Sequence, residues 1–146
     1  AIRSDSIMNC PTLNMARIYS AHNPTWLYHF TYDVKSFTQP LAQFFLGKNS
    51  APLGTFHATE LGFVFGSPFL TSLSSDSDRI VKHIFQRSWG NFARTGNPNG
   101  DTVPQWDAFD PARDNYLDLN AAPSNKDGFR AGYCDYWLNK LDPSLR

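Results

Sequence analysis

Glutamate is almost missing from this chain. Of its thirteen acidic residues, twelve are Asp and one is Glu60. Aspartate bonds readily to nearby backbone and suits turns and caps better than helix interiors. With ten Pro and nine Gly, that bias predicts a loop-rich chain. Net charge is missing as well, because thirteen basic residues balance the acids. A neutral chain without basic clusters carries no electrostatic footprint for nucleic acid or an anionic membrane. No apolar run is long enough for a transmembrane segment. The opening residues Ala1 to Ser6 lack signal-peptide pattern and no Met begins the chain, so it is expected to start as a mature form or a fragment would.

Cysteine is scarce. Cys10 and Cys134 lie near opposite ends and allow one bridge at most. The residues alone leave two readings open. Two separate buried thiols would suit a cytosolic protein. A bridge would constrain the unfolded chain by about 4–5 kcal/mol in the loop-entropy picture and would require an oxidising compartment. No Asn-x-Ser/Thr acceptor is present to help the choice.

Whole classes of chemistry are also absent. There is no Gly-x-Ser-x-Gly elbow to expose a nucleophilic serine and no cysteine-nucleophile signature. No His-Glu-x-x-His or Cys-x-x-Cys metal spacing occurs, and no Gly-rich phosphate loop follows a strand.

What is present suits a globular chain. Its 146 residues are 41% hydrophobic and 15% aromatic, enough for one ordinary core. Pro11 to His22 reads as a helix with Leu13, Ala16, Ile18, Met15 and Tyr19 on its apolar side. Thr25 to Tyr32 is the strongest strand signal, apolar on both faces apart from His29, as a central strand in a covered sheet would be. Thr59 to Phe65 predicts a short helix with Glu60 in its first turn. The clearest helix is capped at Ser74 or Ser75, with Asp76 and Asp78 in the first turn and Gly96 past its end. Its expected stripe is Ile80, Val81, Ile84, Phe85, Trp89, Phe92 and Ala93. Tyr116 to Leu119 predicts a short edge strand at best. A last helix is expected over Ala131 to Leu141, with Tyr133, Trp137 and Leu141 on one face.

Four histidines are candidates for chemistry. His22 falls at a helix end, His29 in a strand and His83 in a helix, and each has a structural explanation. His57 alone lies on a loop, where a base can meet a substrate. Histidine has many structural uses, and by itself His57 is one possible catalytic group without partners.

Longer matches sharpen this. Gly54-Thr55-Phe56-His57-Ala58-Thr59-Glu60-Leu61-Gly62-Phe63-Val64-Phe65-Gly66 resembles the catalytic-histidine segment of type-B carboxylesterases and cholinesterase-like lipases, where His-Gly-x-Glu-Leu precedes Val-Phe-Gly. Trp89-Gly90-Asn91-Phe92-Ala93-Arg94-Thr95-Gly96-Asn97-Pro98-Asn99 is similar to that family's helix ending in Phe-Ala-x-x-Gly-x-Pro. Pro104-Gln105-Trp106-Asp107-Ala108-Phe109 resembles its Trp-Pro-x-Tyr/Phe stretch, with proline and tryptophan offset. Asp5 with Cys10-Pro11 resembles an upstream segment. Cys134, three residues before Trp137, resembles the cysteine that pairs with the first in several members. The motifs occur in family order along nearly the whole chain.

The resemblance implies an α/β fold: the C-terminal portion of an α/β hydrolase, the last sheet strands with packing helices, so that residues 1–146 are the C-terminal part of one catalytic domain. Chain order in that fold is Ser, then Asp or Glu, then His, and only the last is here. It implies His57 as the catalytic histidine of a serine esterase or lipase. Leu53, Ala58 and Thr59 flank it as substrate-pocket candidates, and Glu60 supports the loop. Asp5 does not match the triad acid. Ala58 stands where the family has Gly, which is harmless at ordinary φ and strained at positive φ. The same resemblance implies a Cys10–Cys134 bridge and an extracellular location. No cofactor and no metal are implied. The expected partners are a small-molecule or lipid ester and the N-terminal remainder of the protein. Alone, the chain is expected to be poorly soluble and inactive on simple esters. The alternative is a non-catalytic cholinesterase-like interaction or adhesion protein.

Overall fold

A computed structural model describes residues 2–34, 43–44, 46–51, 54–66 and 75–141. The elements among them are α1 (Ile2–Ser4), a π-helical turn (Asp5–Asn9), α2 (Cys10–Ser20), β1 (Tyr28–Phe30), α3 (Leu61–Phe65), α4 (Asp76–Thr95), β2 (Tyr116–Leu119), β3 (Ser124–Lys126) and α5 (Tyr133–Leu141). The chain divides into two units, one formed by Ala1–His29, Trp106–Leu117 and Asn125–Arg146, the other by Phe30–Gln105 and Asp118–Ser124.

The first unit opens on helix well before Pro11. Proline in a helix interior lacks the N–H that would bond four residues back and crowds that carbonyl. The register change just upstream accommodates it: the Cys10 N–H reaches five residues back to the Asp5 carbonyl, which is π winding. Cys10, Leu13 and Ala16 face the core, while Met15, Ile18 and Tyr19, expected on the apolar side, are exposed. The correction is geometric, since successive positions of α2 alternate around its circumference and only the 10, 13, 16 row packs. From α5, Cys134 is buried and Trp137 and Leu138 pack on the same core with Leu27, Phe109 and Phe129, at the i, i+3, i+4 spacing of one helical face. The helix begins at Tyr133 rather than Ala131, and Tyr133 is exposed.

Cys10 and Cys134 form the disulfide, with Cα atoms 5.0 Å apart across 124 residues of sequence. Two bidentate ion pairs sit beside it in the same unit. Arg17 donates from Nε to Asp114 Oδ1 at 2.9 Å and from Nη2 to Asp114 Oδ2. Arg130 donates from Nε to Asp5 Oδ1 at 2.8 Å and from Nη2 to Asp5 Oδ2. Asn9 Nδ2 adds a bond to Asp5 at 2.9 Å. Asp5 is almost completely buried, so its charge needs that partnership. The Arg130 hydrogen bonds, against the opposing effect of burial, hold the Asp5 carboxyl below the usual carboxylate range, with help from Asn9.

The sheet among the described residues has the order β1-β2-β3. The Leu117 N–H donates to the Leu27 carbonyl at 2.9 Å, and the Thr31 N–H donates to the Leu119 carbonyl at 3.1 Å. The pairing advances in the same direction along both strands, so β1 and β2 run parallel. Three expectations need correction. The predicted strand over residues 25–32 is regular only over Tyr28–Phe30, and it lies at one end of the described order rather than centrally. Tyr116–Leu119, expected at an edge, is the middle strand, with Leu117, Asp118 and Leu119 all buried. That continuous burial is the signature of a covered parallel strand. β3 was not foreseen, because Ser-Asn-Lys carries no strand propensity.

The second unit is built on α4. Its N-cap is Ser75, and the capping box with Asp78 is complete: the Ser75 oxygen accepts from the Asp78 N–H and the Asp78 carboxylate accepts from the Ser75 N–H. Gly96 closes the helix at φ +73°. Val81, Ile84, Phe85 and Ser88 form its buried side, whereas Ile80, Phe92 and Ala93, expected in the stripe, are exposed. Ser74, Ser67 and Pro68 lie outside the described residues.

Two outcomes follow for the first unit. Replacing both cysteines with serine is expected to lower unfolding stability by roughly 2–5 kcal/mol, read from denaturant midpoints against the parent under oxidising conditions; equal midpoints would rule the bridge out as a stabilising link. For Asp5, the folded state holds the carboxyl deprotonated more strongly than the unfolded chain does. Its contribution is therefore full above the ordinary aspartate pKa of about 4 and fades as pH falls through the lower folded value. Asp5→Asn should depress the melting temperature at neutral pH by several degrees, and the deficit should shrink in acid; a deficit constant with pH would refute the linkage.

Candidate active site

His57 lies in the second unit on a turn that its neighbours specify closely. The Thr59 N–H donates to the Phe56 carbonyl at 3.1 Å, so His57 and Ala58 are the two central residues. Thr59 adds a brace: its hydroxyl accepts from the Phe56 N–H at 3.0 Å and donates to the Phe56 carbonyl. Thr59 is buried, while Phe56, His57 and Ala58 are exposed. Ala58 has φ +71°. Positive φ at the second central residue is the sign pattern of a type II turn, which ordinarily takes Gly there. The position is thus the strained case for a side chain, at a cost of about 1–2 kcal/mol.

The turn runs into α3. The Leu61 N–H donates to the Ala58 carbonyl at 3.2 Å, and Phe63 and Val64 donate to the Glu60 carbonyl at 2.9 and 3.1 Å. Glu60 is the N-cap residue rather than a first-turn residue, and it is half-buried. α3 is fastened through Phe63, whose ring lies 5.9 Å from that of Phe30 and 6.3 Å from that of Phe85. Gly66 ends α3 at φ +63°, where a β-carbon would lie 2.8 Å from Gln86 Nε2 of α4. The positive φ is what favours glycine there, since Gln86 Nε2 is the far end of an exposed side chain and can move aside.

Upstream of His57, the Thr55 hydroxyl donates to the Tyr32 carbonyl at 2.9 Å. The Tyr32 hydroxyl in turn donates to Asp78 Oδ1 at 2.7 Å. Burial, and then the bond to Asp78, raise the Tyr32 phenol above its ordinary pKa, so it stays protonated as a donor. Sequence reasoning assigned Asp78 only to the helix cap and passed over Tyr32 and Thr55. No local motif marks them, because their partners come from distant segments.

Among the described residues the His57 ring has no hydrogen-bond partner, and no three His, Cys, Asp or Glu side chains gather as a metal would require. Leu53 lies outside the described residues. The other histidines have structural settings. His29 packs edge-on against the Tyr116 and Phe129 rings, His83 Nε2 meets the Thr102 carbonyl at 2.9 Å, and His22 is exposed after α2. Asp5 belongs to the ion pair with Arg130 in the first unit. No helix of the described residues is long and apolar enough to cross a membrane.

Replacing Ala58 with Gly relieves the turn strain while adding freedom to the unfolded chain. The net effect expected is a gain of about 0.5–1 kcal/mol, seen as a melting temperature raised by a few degrees. A lowered value would contradict the strained turn.

Known proteins match this chain. The family model described as the carboxylesterase family covers residues 1–137. Carboxylesterase 1C of Rattus norvegicus is 29% identical over 139 residues, covering 94% of this chain and 24% of the relative. Liver carboxylesterase 1 of Oryctolagus cuniculus is 30% identical over 142 residues, with the same coverage. The chain thus spans about a quarter of the length of these relatives. The solved structure of a PNB esterase superposes with TM-score 0.64 at 24% identity, over 84% of this chain and 23% of that one. The fold is accordingly part of an α/β hydrolase.

Proposed function

This chain belongs to the carboxylesterase family, and from that premise we propose that it is the C-terminal part of a single α/β-hydrolase domain in a serine esterase or lipase. The observation that carries the proposal is the placement of His57. It is an exposed imidazole on a turn whose two flanks are bonded into buried structure. A general base needs that combination of reach and fixed position.

In the proposed reaction a serine supplied by the rest of the protein attacks the ester carbonyl. His57 takes the serine proton during attack and gives it to the departing alcohol. A carboxylate, also from the remainder, orients the imidazole and stabilises its charged form. Ala58 and Leu53 are the proposed pocket neighbours. Thr59, with its hydroxyl committed to Phe56, is proposed as a brace, and Glu60 as support where the turn enters α3. The substrate class is a carboxylic ester, either a small molecule or a lipid. The disulfide supports an oxidising, extracellular location.

A non-catalytic interaction protein on the same fold is the second reading. It gives no reason for an exposed imidazole, without a hydrogen-bond partner among the described residues, at the centre of a strained turn. In the full-length protein, His57→Ala should lower ester turnover by several orders of magnitude at unchanged melting temperature. Turnover near the parent value would reject His57 as the base, and no ester hydrolysis by the parent on any chromogenic ester would reject the esterase assignment.

A further inference from the structure

The turn that carries His57 is tied to α4 on both sides, by bonds of different kinds. Downstream, α3 is held by the Phe63 ring against Phe85. Upstream the link is a polar series: Asp78 accepts from the Tyr32 hydroxyl at 2.7 Å, and the Tyr32 carbonyl accepts from the Thr55 hydroxyl at 2.9 Å. Thr55 stands two residues before His57. Asp78 is itself immobilised, because its other oxygen accepts from the Ser75 hydroxyl at 2.6 Å and the Ser75 N–H at 3.2 Å. It is also buried, where an acceptor bond is stronger and costlier to lose.

Apolar packing of α3 limits how far the turn can move, but it is non-directional. Hydrogen bonds set direction. Ala58 makes this matter more, since a turn holding a β-carbon at φ +71° gains by relaxing to another conformation unless its ends are fixed.

We propose that Tyr32, Thr55 and Asp78 are positioning residues for His57: α4 aims the catalytic turn through the Asp78–Tyr32–Thr55 series. This rests on the esterase reading above. None of the three touches the reacting atoms in this account. Asp78 acts on Tyr32, Tyr32 on Thr55, and Thr55 on the turn. Stabilising α4 and aiming the turn are separable at the other end of the helix, where Gly96 closes α4 at φ +73° and is no part of the series.

That separation supplies the control. In the full-length protein, with p-nitrophenyl butyrate as probe, Tyr32→Phe should lower kcat about tenfold with KM little changed, as expected for a misdirected base. Thr55→Val should do the same, and Thr55→Ser, which keeps the donor, should restore the parent kcat. Gly96→Ala strains the far end of α4 at φ +73° and touches no member of the series, so it should lower the melting temperature without lowering kcat. In the Tyr32→Phe, Thr55→Val double variant the losses should be less than multiplicative, because breaking one link idles the other. Parent-like kcat in Tyr32→Phe and Thr55→Val overturns the proposal. So does a kcat that merely follows melting temperature across all variants, Gly96→Ala included. If the tyrosine variant does not fold, the Thr55→Val and Thr55→Ser pair decides alone. His57→Ala run alongside keeps the two levels apart: full activity there defeats His57 as the base, while its loss together with unaffected Tyr32→Phe and Thr55→Val defeats only the positioning role.

Discussion

The packing of Phe63 against Phe30 and Phe85, three rings in mutual contact, is the contact on which the candidate site depends. His57 is exposed and has no partner of its own among the described residues, so its position is inherited from its neighbours. Phe85 and Phe63 are almost fully buried and Phe30 nearly so. Each such ring contributes about 1.5–3 kcal/mol by burial. The ring-to-ring geometry adds roughly 0.5–1.5 kcal/mol per pair. That sum exceeds the strain at Ala58 and explains how the turn persists with a methyl group where glycine would sit more easily. The strain and the proposed chemistry fall at adjacent residues, Ala58 and His57.

The first unit solves a different problem. Its ends come from opposite termini of the chain, and local propensity does nothing to join them. The Cys10–Cys134 bridge and the Asp5–Arg130 pair both close that long loop, while Arg17–Asp114 ties α2 to the segment before β2. Asp114 and Arg130 both have positive φ, +45° and +52°. A bidentate ion pair fixes a side chain at two points, and here it holds two residues in a backbone region they visit unwillingly. Removal of either partner would therefore release backbone as well as charge.

Legibility followed locality. The boundaries of α4 were readable because Ser75, Asp78 and Gly96 act on backbone within a few residues of themselves. Its buried face was only half readable. Ile80 and Phe92 are as apolar as Val81 and Ile84, and nothing in an isolated helix says which side will find a partner. The polar Ser88 is buried where Phe92 is not. The start of α2 was readable, because Pro11 suits a first turn and α2 begins one residue before it; not readable was the helical winding that already precedes Pro11. The π turn that lets helix run through it depends on Asp5, whose own placement depends on Arg130.

The sequence by itself determined the family, the loop-borne histidine, the helix caps and the presence of two cysteines able to bridge. These are carried by residue types at short spacing, and short spacing survives without a fold. Only the tertiary structure decided that Tyr116–Leu119 is a middle strand and that Ala58 sits at positive φ. It alone joined Tyr32, Thr55 and Asp78 in one series, and it brought Cys10 to within bonding distance of Cys134. Pairing, burial and backbone strain are set by partners that arrive from far along the chain, and one-dimensional spacing does not record which partners those will be.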